Sequence, residues 1–127
     1  MPELIPGADI VVLLAPLTDA TRGMVDSRFL ASMHDGALLV NAARGQIVDQ
    51  VSLEGELRAG RLRAVLDVTD PEPLPHGHSL WSAPNVWITP HTGGTSRRWK
   101  QRAYRFVGDQ LRRYAHGEPL MNVRTDY

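Results

Sequence analysis

The sequence predicts an α/β protein built on a parallel sheet with crossover helices, followed by one long C-terminal helix. Three observations carry this. Four runs, Ile10 to Ala15, Ala37 to Val40, Leu62 to Leu66 and Val86 to Thr89, are largely apolar and too short for helices, and the first two are continuous, as strands buried on both faces are. Helix-patterned segments separate the first three. From Thr95 or Ser96 to about Ala115, apolar residues recur at helical spacing. Strand, helix, strand, helix, strand, loop, strand is the order of parallel strands joined by crossovers.

Each element has its own signals. Met1 to Gly7 is a short lead with two prolines. Asp9 opens the first run and Pro16 ends it, since proline cannot donate to a central ladder. Leu17 to Val25, punctuated by Thr, Asp and Gly, reads as a loop. Asp26 or Ser27 can N-cap a short helix through about Met33, with Phe29, Leu30 and Met33 on one face. His34-Asp35-Gly36 stops it. Asp49 is the candidate N-cap of the next helix, whose buried side would be Val51, Leu53, Leu57 and Ala59, with Gly60 as its C-cap signal. Gly55 weakens the middle of that helix. Thr69 to Pro75 holds three prolines and must be an extended loop. Leu80-Trp81 is an apolar anchor for that loop. In the last helix Trp99, Ala103, Phe106, Val107, Leu111 and Tyr114 share a face. Arg97, Arg98, Lys100, Arg102, Arg105, Arg112 and Arg113 cover much of the rest, and Gly117 ends it.

Composition narrows the function classes. With 127 residues, 43% apolar and 22% charged and with zero formal net charge, the chain has one core and no bias toward nucleic acid or membrane. The basic helix therefore reads as a solvated face. The absence of cysteine excludes disulfides and thiolate-bound metals and fits a reducing cytosol. The longest apolar stretch, Ile10 to Leu17, is far too short to span a bilayer, and no signal-peptide pattern is present at the N-terminus.

Parallel strands put all their carboxyl ends on one edge, the edge where open α/β sheets bind ligands. That edge would hold Ala15-Pro16, Asn41 to Gly45, Asp67, and His91 to Gly94, with Glu72 crossing above. Gly45 can take backbone angles closed to other residues. Arg44 has the planar fork that grips a carboxylate at two points; an ordinary surface arginine on a strand-to-helix loop is the plain alternative. Of five histidines, His91 alone stands at a strand end beside a glycine pair. His34 and His116 read as helix-end residues. His76 and His78 have no third partner for a metal. A histidine at the crevice can move a proton near neutral pH, and Glu72 could fix its tautomer. Arg44, Glu72 and His91 would suit reduction of a carbonyl next to a carboxylate, and Asp67 could orient a carboxamide such as that of nicotinamide. From spacing alone this is one of several chemistries.

The resemblance is more specific. The segments Ala8 to Thr18 (ADIVVLLAPLT), Val40 to Gly45 (VNAARG), Leu66 to Pro75 (LDVTDPEPLP) and Thr89 to Gly94 (TPHTGG) resemble the C-terminal part of the D-isomer-specific 2-hydroxyacid dehydrogenases, the family of phosphoglycerate and glyoxylate/hydroxypyruvate reductases. The resemblance implies the second half of a Rossmann-type dinucleotide-binding domain over residues 1–94. A helix and tail over 95–127 would then return toward a substrate-binding domain. It implies hydride transfer between NAD or NADP and a small 2-oxo or 2-hydroxy acid. The composition points to a cytoplasmic protein, and the apolar stripe of the last helix to a homodimer, a helix swap or aggregation of the isolated chain. Catalytic roles carry over to Arg44, Glu72 and His91. Cofactor contacts carry over to Ala15, Pro16, Ala42, Ala43, Arg44, Asp67, His91, Gly93 and Gly94. Glutamate at position 72 resembles the hydroxyacid enzymes rather than the related formate dehydrogenases, which have glutamine. Thr69-Asp70 stands where Phe-Glu is more usual, and Ala15 where histidine is frequent. No Gly-x-Gly-x-x-Gly phosphate turn occurs in the sequence. The chain thus reads as a portion of such an enzyme, inactive by itself. A non-enzymatic interaction module of the same fold, of the corepressor kind, is the alternative.

Overall fold

The computed structural model describes residues 4–96 and 98–123. They fall into two compact units, a first reaching to Thr92 and a second starting at Gly93. The first holds four strands, β1 (Ile10–Leu13), β2 (Leu38–Asn41), β3 (Arg63–Leu66) and β4 (Val86–Ile88), and two helices, α1 (Ser27–Ser32) and α2 (Gln50–Arg58). All neighbouring strands are parallel, in the order β1-β2-β3-β4. Leu13, Asn41, Leu66 and Ile88 stand level across the sheet, so the strand ends share one edge, as the sequence implies.

The strands are not buried on both faces, however. Val11, Leu13, Leu39, Ala64 and Leu66 are buried, whereas Ile10, Val12 and Trp87 are 57%, 52% and 77% exposed. Topology explains the difference. Each connection steps one strand over in the same direction, and right-handed crossovers made in one direction all land on one face. That face packs on Leu30 of α1 and Met33 just after it, with Leu53 and Leu57 from α2. The other carries a level row of Val12, Val40, Val65 and Trp87, with no α-helix above it among the described residues of the first unit. The same monotonic order leaves β1 at a sheet edge, so strand order does not reverse within these four strands.

Local signals explain the helices. Asp26 caps α1, accepting from Phe29 N–H at 2.8 Å. Arg61, in the link to β3, ends α1 from outside. Its fork donates to Leu30 O and Met33 O at 2.6 and 2.7 Å, and its Nε pairs with Glu56 of α2 at 2.6 Å. The hydrogen bond to Glu56, aided by the charge of Asp35, raises the guanidinium pKa still further above its usual range. Of the side predicted for α2, Leu53 and Leu57 are buried, but Val51 is 81% exposed and Ala59 is exposed. Val51 lies only two residues from Leu53, too far round the helix to share its face.

Asp49 caps α2. One carboxylate oxygen accepts from Val51 N–H at 3.2 Å and the other from Ser52 Oγ at 2.5 Å. The Ser52 hydroxyl bond, with the two backbone N–H groups, holds the carboxyl below its ordinary value. A lowered folded-state pKa contributes stability above the unfolded value, about pH 4, that is lost as pH falls through the folded value. Asp49→Ala is therefore expected to cost about 1 kcal/mol at neutral pH. That difference should shrink as pH falls below the unfolded value, which urea unfolding at neutral and at acid pH would check.

In the second unit α3 (Trp99–Ala115) is capped by His116, whose Nδ1 lies 2.7 Å from Arg112 O. Gly117 follows in the left-handed region, φ 68°. The tail folds back through Gln110, which bonds both the N–H and the C=O of Met121 at 3.0 and 3.1 Å. No residue of α3 is buried, and Val107, Leu111 and Tyr114 of its apolar stripe are more than half exposed. Arg97, expected among its basic residues, lies outside the described residues.

Candidate active site

The turn that carries Arg44 is built by a buried asparagine. Asn41, 1% exposed at the end of β2, accepts from Ala43 N–H at 3.1 Å and donates to Arg44 O at 3.0 Å. One amide thus satisfies two backbone groups and fixes the loop between them. Ala43 is buried and Ala42 exposed. Gly45 follows for a reason other than the one its sequence suggests. Its φ is not in the left-handed region; instead, a Cβ here would overlap the carbonyl of Thr69. The Arg44 turn and the start of the proline loop are in backbone contact, and only glycine fits between them.

That loop brings Glu72 to His91. His91 Nδ1 lies 2.6 Å from Glu72 Oε1, with both side chains about 40% exposed. His91 has φ 51°, the left-handed region that a non-glycine residue rarely occupies. The turned backbone is strain of the kind that collects at functional sites. Beside the pair is a cleft of about 400 Å³. Its apolar walls are Pro73, Leu74, Trp81, Ile88 and Pro90, and its polar groups are Asp67, Thr69, Glu72, Thr89 and His91. Asp67 is oriented by Thr89, whose hydroxyl donates to Oδ1 at 2.5 Å, and by its own N–H bonded to Asn41 O at 3.0 Å.

Arg44 opens on the neighbouring hollow, formed with Gly45, Gln46 and residues 69–72. Thr69 and Glu72 are walls common to both spaces. The guanidinium donates to Ala43 O at 2.6 Å through Nη1. Ala15 and Pro16 follow β1 and line neither space, and Gly93 and Gly94 belong to the second unit. Sequence reasoning missed Thr69 and Thr89 as cleft walls. It read Trp81 only as an anchor, yet Trp81 lines the cleft, 55% exposed, while its Nε1–H holds Pro75 O at 3.0 Å. Leu80, fully buried, is the true anchor. His78 is structural, its ring accepting from Leu80 N–H at 3.2 Å. Among the described residues no group of three or more His, Cys, Asp or Glu side chains could hold a metal.

A parallel sheet whose carboxyl edge carries a carboxylate–imidazole pair beside an apolar cleft defines a nucleotide-binding type of α/β protein with acid/base capacity. The comparisons make the family explicit. Residues 1–93 match the family described as D-isomer specific 2-hydroxyacid dehydrogenase, NAD binding domain, and the chain belongs to it. Glyoxylate reductase/hydroxypyruvate reductase of Homo sapiens is 36% identical over 94% of this chain and 37% of its own length. A chloroplastic/mitochondrial formate dehydrogenase of Arabidopsis thaliana is 36% identical over 91% of this chain and 30% of its own. The D-isomer specific 2-hydroxyacid dehydrogenase of Xanthobacter autotrophicus Py2, solved with NADPH and MES, superposes with a TM-score of 0.84 at 39% identity, over 95% of this chain and 50% of that one. The chain thus spans about a third of the length of these curated relatives.

Proposed function

We propose that this chain supplies the proton-transfer side of a D-2-hydroxyacid dehydrogenase that interconverts a small 2-oxo acid and its 2-hydroxy acid. The observation that carries the reading is the 2.6 Å contact of Glu72 with His91 at the lip of the cleft. With Nδ1 held by Glu72, the remaining nitrogen, Nε2, is the one that gives a proton to the substrate's carbonyl oxygen on reduction and takes it back on oxidation. Arg44 binds the substrate carboxylate with the N–H groups that Ala43 O does not use. Asp67 accepts from a carboxamide N–H at the cleft floor.

The residues present fit one end of a nicotinamide dinucleotide. Apolar walls beside the Asp67 carboxylate, with Glu72 taken up by His91, suit a flat aromatic amide, and Ala15, Pro16, Ala42, Ala43, Gly93 and Gly94 are the further contacts we assign to NAD or NADP. The bound dinucleotide would supply the hydride. Nothing in this sequence supplies the Gly-x-Gly-x-x-Gly turn that holds a pyrophosphate. The purified 127-residue chain is therefore expected to bind NAD(P)H weakly or not at all and to show no turnover. Calorimetry that found micromolar affinity would contradict this. The reading itself is tested by joining the chain to a half that bears the phosphate turn. Reduction of glyoxylate or hydroxypyruvate supports it, whereas oxidation of formate alone would overturn it. Glu72, rather than glutamine, favours the hydroxyacid.

We also propose a cytoplasmic protein that self-associates through α3. Among the described residues no helix is long and apolar enough to cross a membrane. Trp99, Phe106, Val107 and Leu111 on α3 are all more than a third exposed, and burying such side chains is worth roughly 1.5–3 kcal/mol each. Sedimentation should show a dimer, or a larger species, that a Trp99→Asp/Phe106→Asp double variant reduces to monomer. A wild-type chain that stays monomeric at high concentration would refute it.

A further inference from the structure

The loop that carries Glu72 is fastened to α2 along one edge. Gln50, Glu54 and Arg58 follow one another at a spacing of one helical turn, and each holds the loop. Asp70 N–H donates to Gln50 Oε1 at 3.2 Å, Ser79 Oγ donates to Glu54 Oε2, and Arg58 Nη2 donates to Ser79 O at 3.3 Å. His78 lies on the same edge, its Nε2 3.3 Å from the Gln50 side-chain amide and its Nδ1 3.9 Å from Glu54 Oε1. Glu54 and Arg58 grip the far end of the loop, next to buried Leu80. Gln50 alone reaches the near end, two residues before Glu72.

We propose that Gln50 is a positioning residue: by holding Asp70 N–H it sets where Glu72 stands against His91. This rests on the reading of Glu72 and His91 as the acid/base pair, since the bonds of Gln50 go to Asp70 and His78 and it acts only through the loop. Its reach is short, because Thr69, the residue before Asp70, already abuts Gly45. The Asp70 bond therefore fixes the second of two consecutive residues leading to Glu72.

Gln50 meets Asp70 N–H through Oε1 and His78 Nε2 through its amide nitrogen. Glutamate keeps an acceptor at the Oε1 position, whereas leucine has none. Gln50→Glu is thus expected to hold the loop, and Gln50→Leu to release it.

The test uses the 127-residue chain labelled with 15N. In Gln50→Leu, exchange of the Asp70 amide should speed up about tenfold, the factor carried by one net hydrogen bond. The neutral His91 ring should also shift from the Nδ1–H form, held by Glu72, toward the Nε2–H form in its 15N spectrum. Gln50→Glu should restore both signals. Amide signals of Leu53 and Leu57 report whether α2 is intact; if leucine disturbs it, Gln50→Ala is read in its place. An unchanged Asp70 exchange rate overturns the proposal. So does a faster rate with an unaltered His91 ring, because the loop then moves without moving Glu72. A failure of the acid/base reading would appear elsewhere, as absent turnover in the joined enzyme with the ring signals behaving as described.

Discussion

His91→Ala, in the chain joined to a half that bears the phosphate turn, is expected to lower kcat by about 10²–10⁴-fold, the contribution of a positioned acid/base group. KM should move much less, because the substrate carboxylate is assigned to Arg44. Arg44→Lys should do the reverse. Lysine keeps the charge but loses the two-point fork, so KM for the 2-oxo acid rises while kcat changes little. Measuring both parameters for both variants checks the division. Near-parental turnover at saturating substrate by the His91 variant would show that the proton comes from another group.

The second large effect falls on a residue with no functional group. Gly45→Ala places a methyl where the Thr69 carbonyl stands. Neither partner is the end of a flexible side chain, so the backbone of one must move. Overpacking of this kind costs about 1–3 kcal/mol, which for a unit of this size lowers Tm by several degrees. The shift is also directional, because Thr69 leads to Glu72. Gly45→Ala should therefore weaken the Glu72–His91 contact together with the fold. Thermal unfolding read beside the His91 ring spectrum would show both losses. A variant with parental Tm would mean that the two segments do not meet.

How far the sequence disclosed this arrangement depended on whether a signal was local. The strands, the cap at Asp49 and the stop at Gly60 are written in neighbouring residues and were legible. The meeting of Glu72 with His91 was one possibility that the residues allowed, and the resemblance implied it. Faces were harder. A continuous apolar run reads as buried on both sides, yet β1 is covered on one side only and leaves Ile10 and Val12 exposed, because direction of travel across the sheet is not a property of any one strand. Val51 looked like core because it is apolar, while its angular position places it outward. Arg61 and Gln50 left no trace in the pattern. Each acts on groups roughly twenty to thirty residues away, reached only after the chain has folded. Gly45 was noticed for its backbone freedom, whereas its use is to take up no room.

The left-handed backbone at His91 narrows the substitutions by which a lineage could lose this chemistry while keeping the fold. Valine, isoleucine or threonine would remove the imidazole and also strain the backbone, so the fold would suffer along with the proposed proton transfer. Asparagine and glycine, which visit that region readily, are the low-cost exits. In a collection of natural variants, decayed copies should thus carry Asn or Gly at position 91 far more often than mutation rates alone would give.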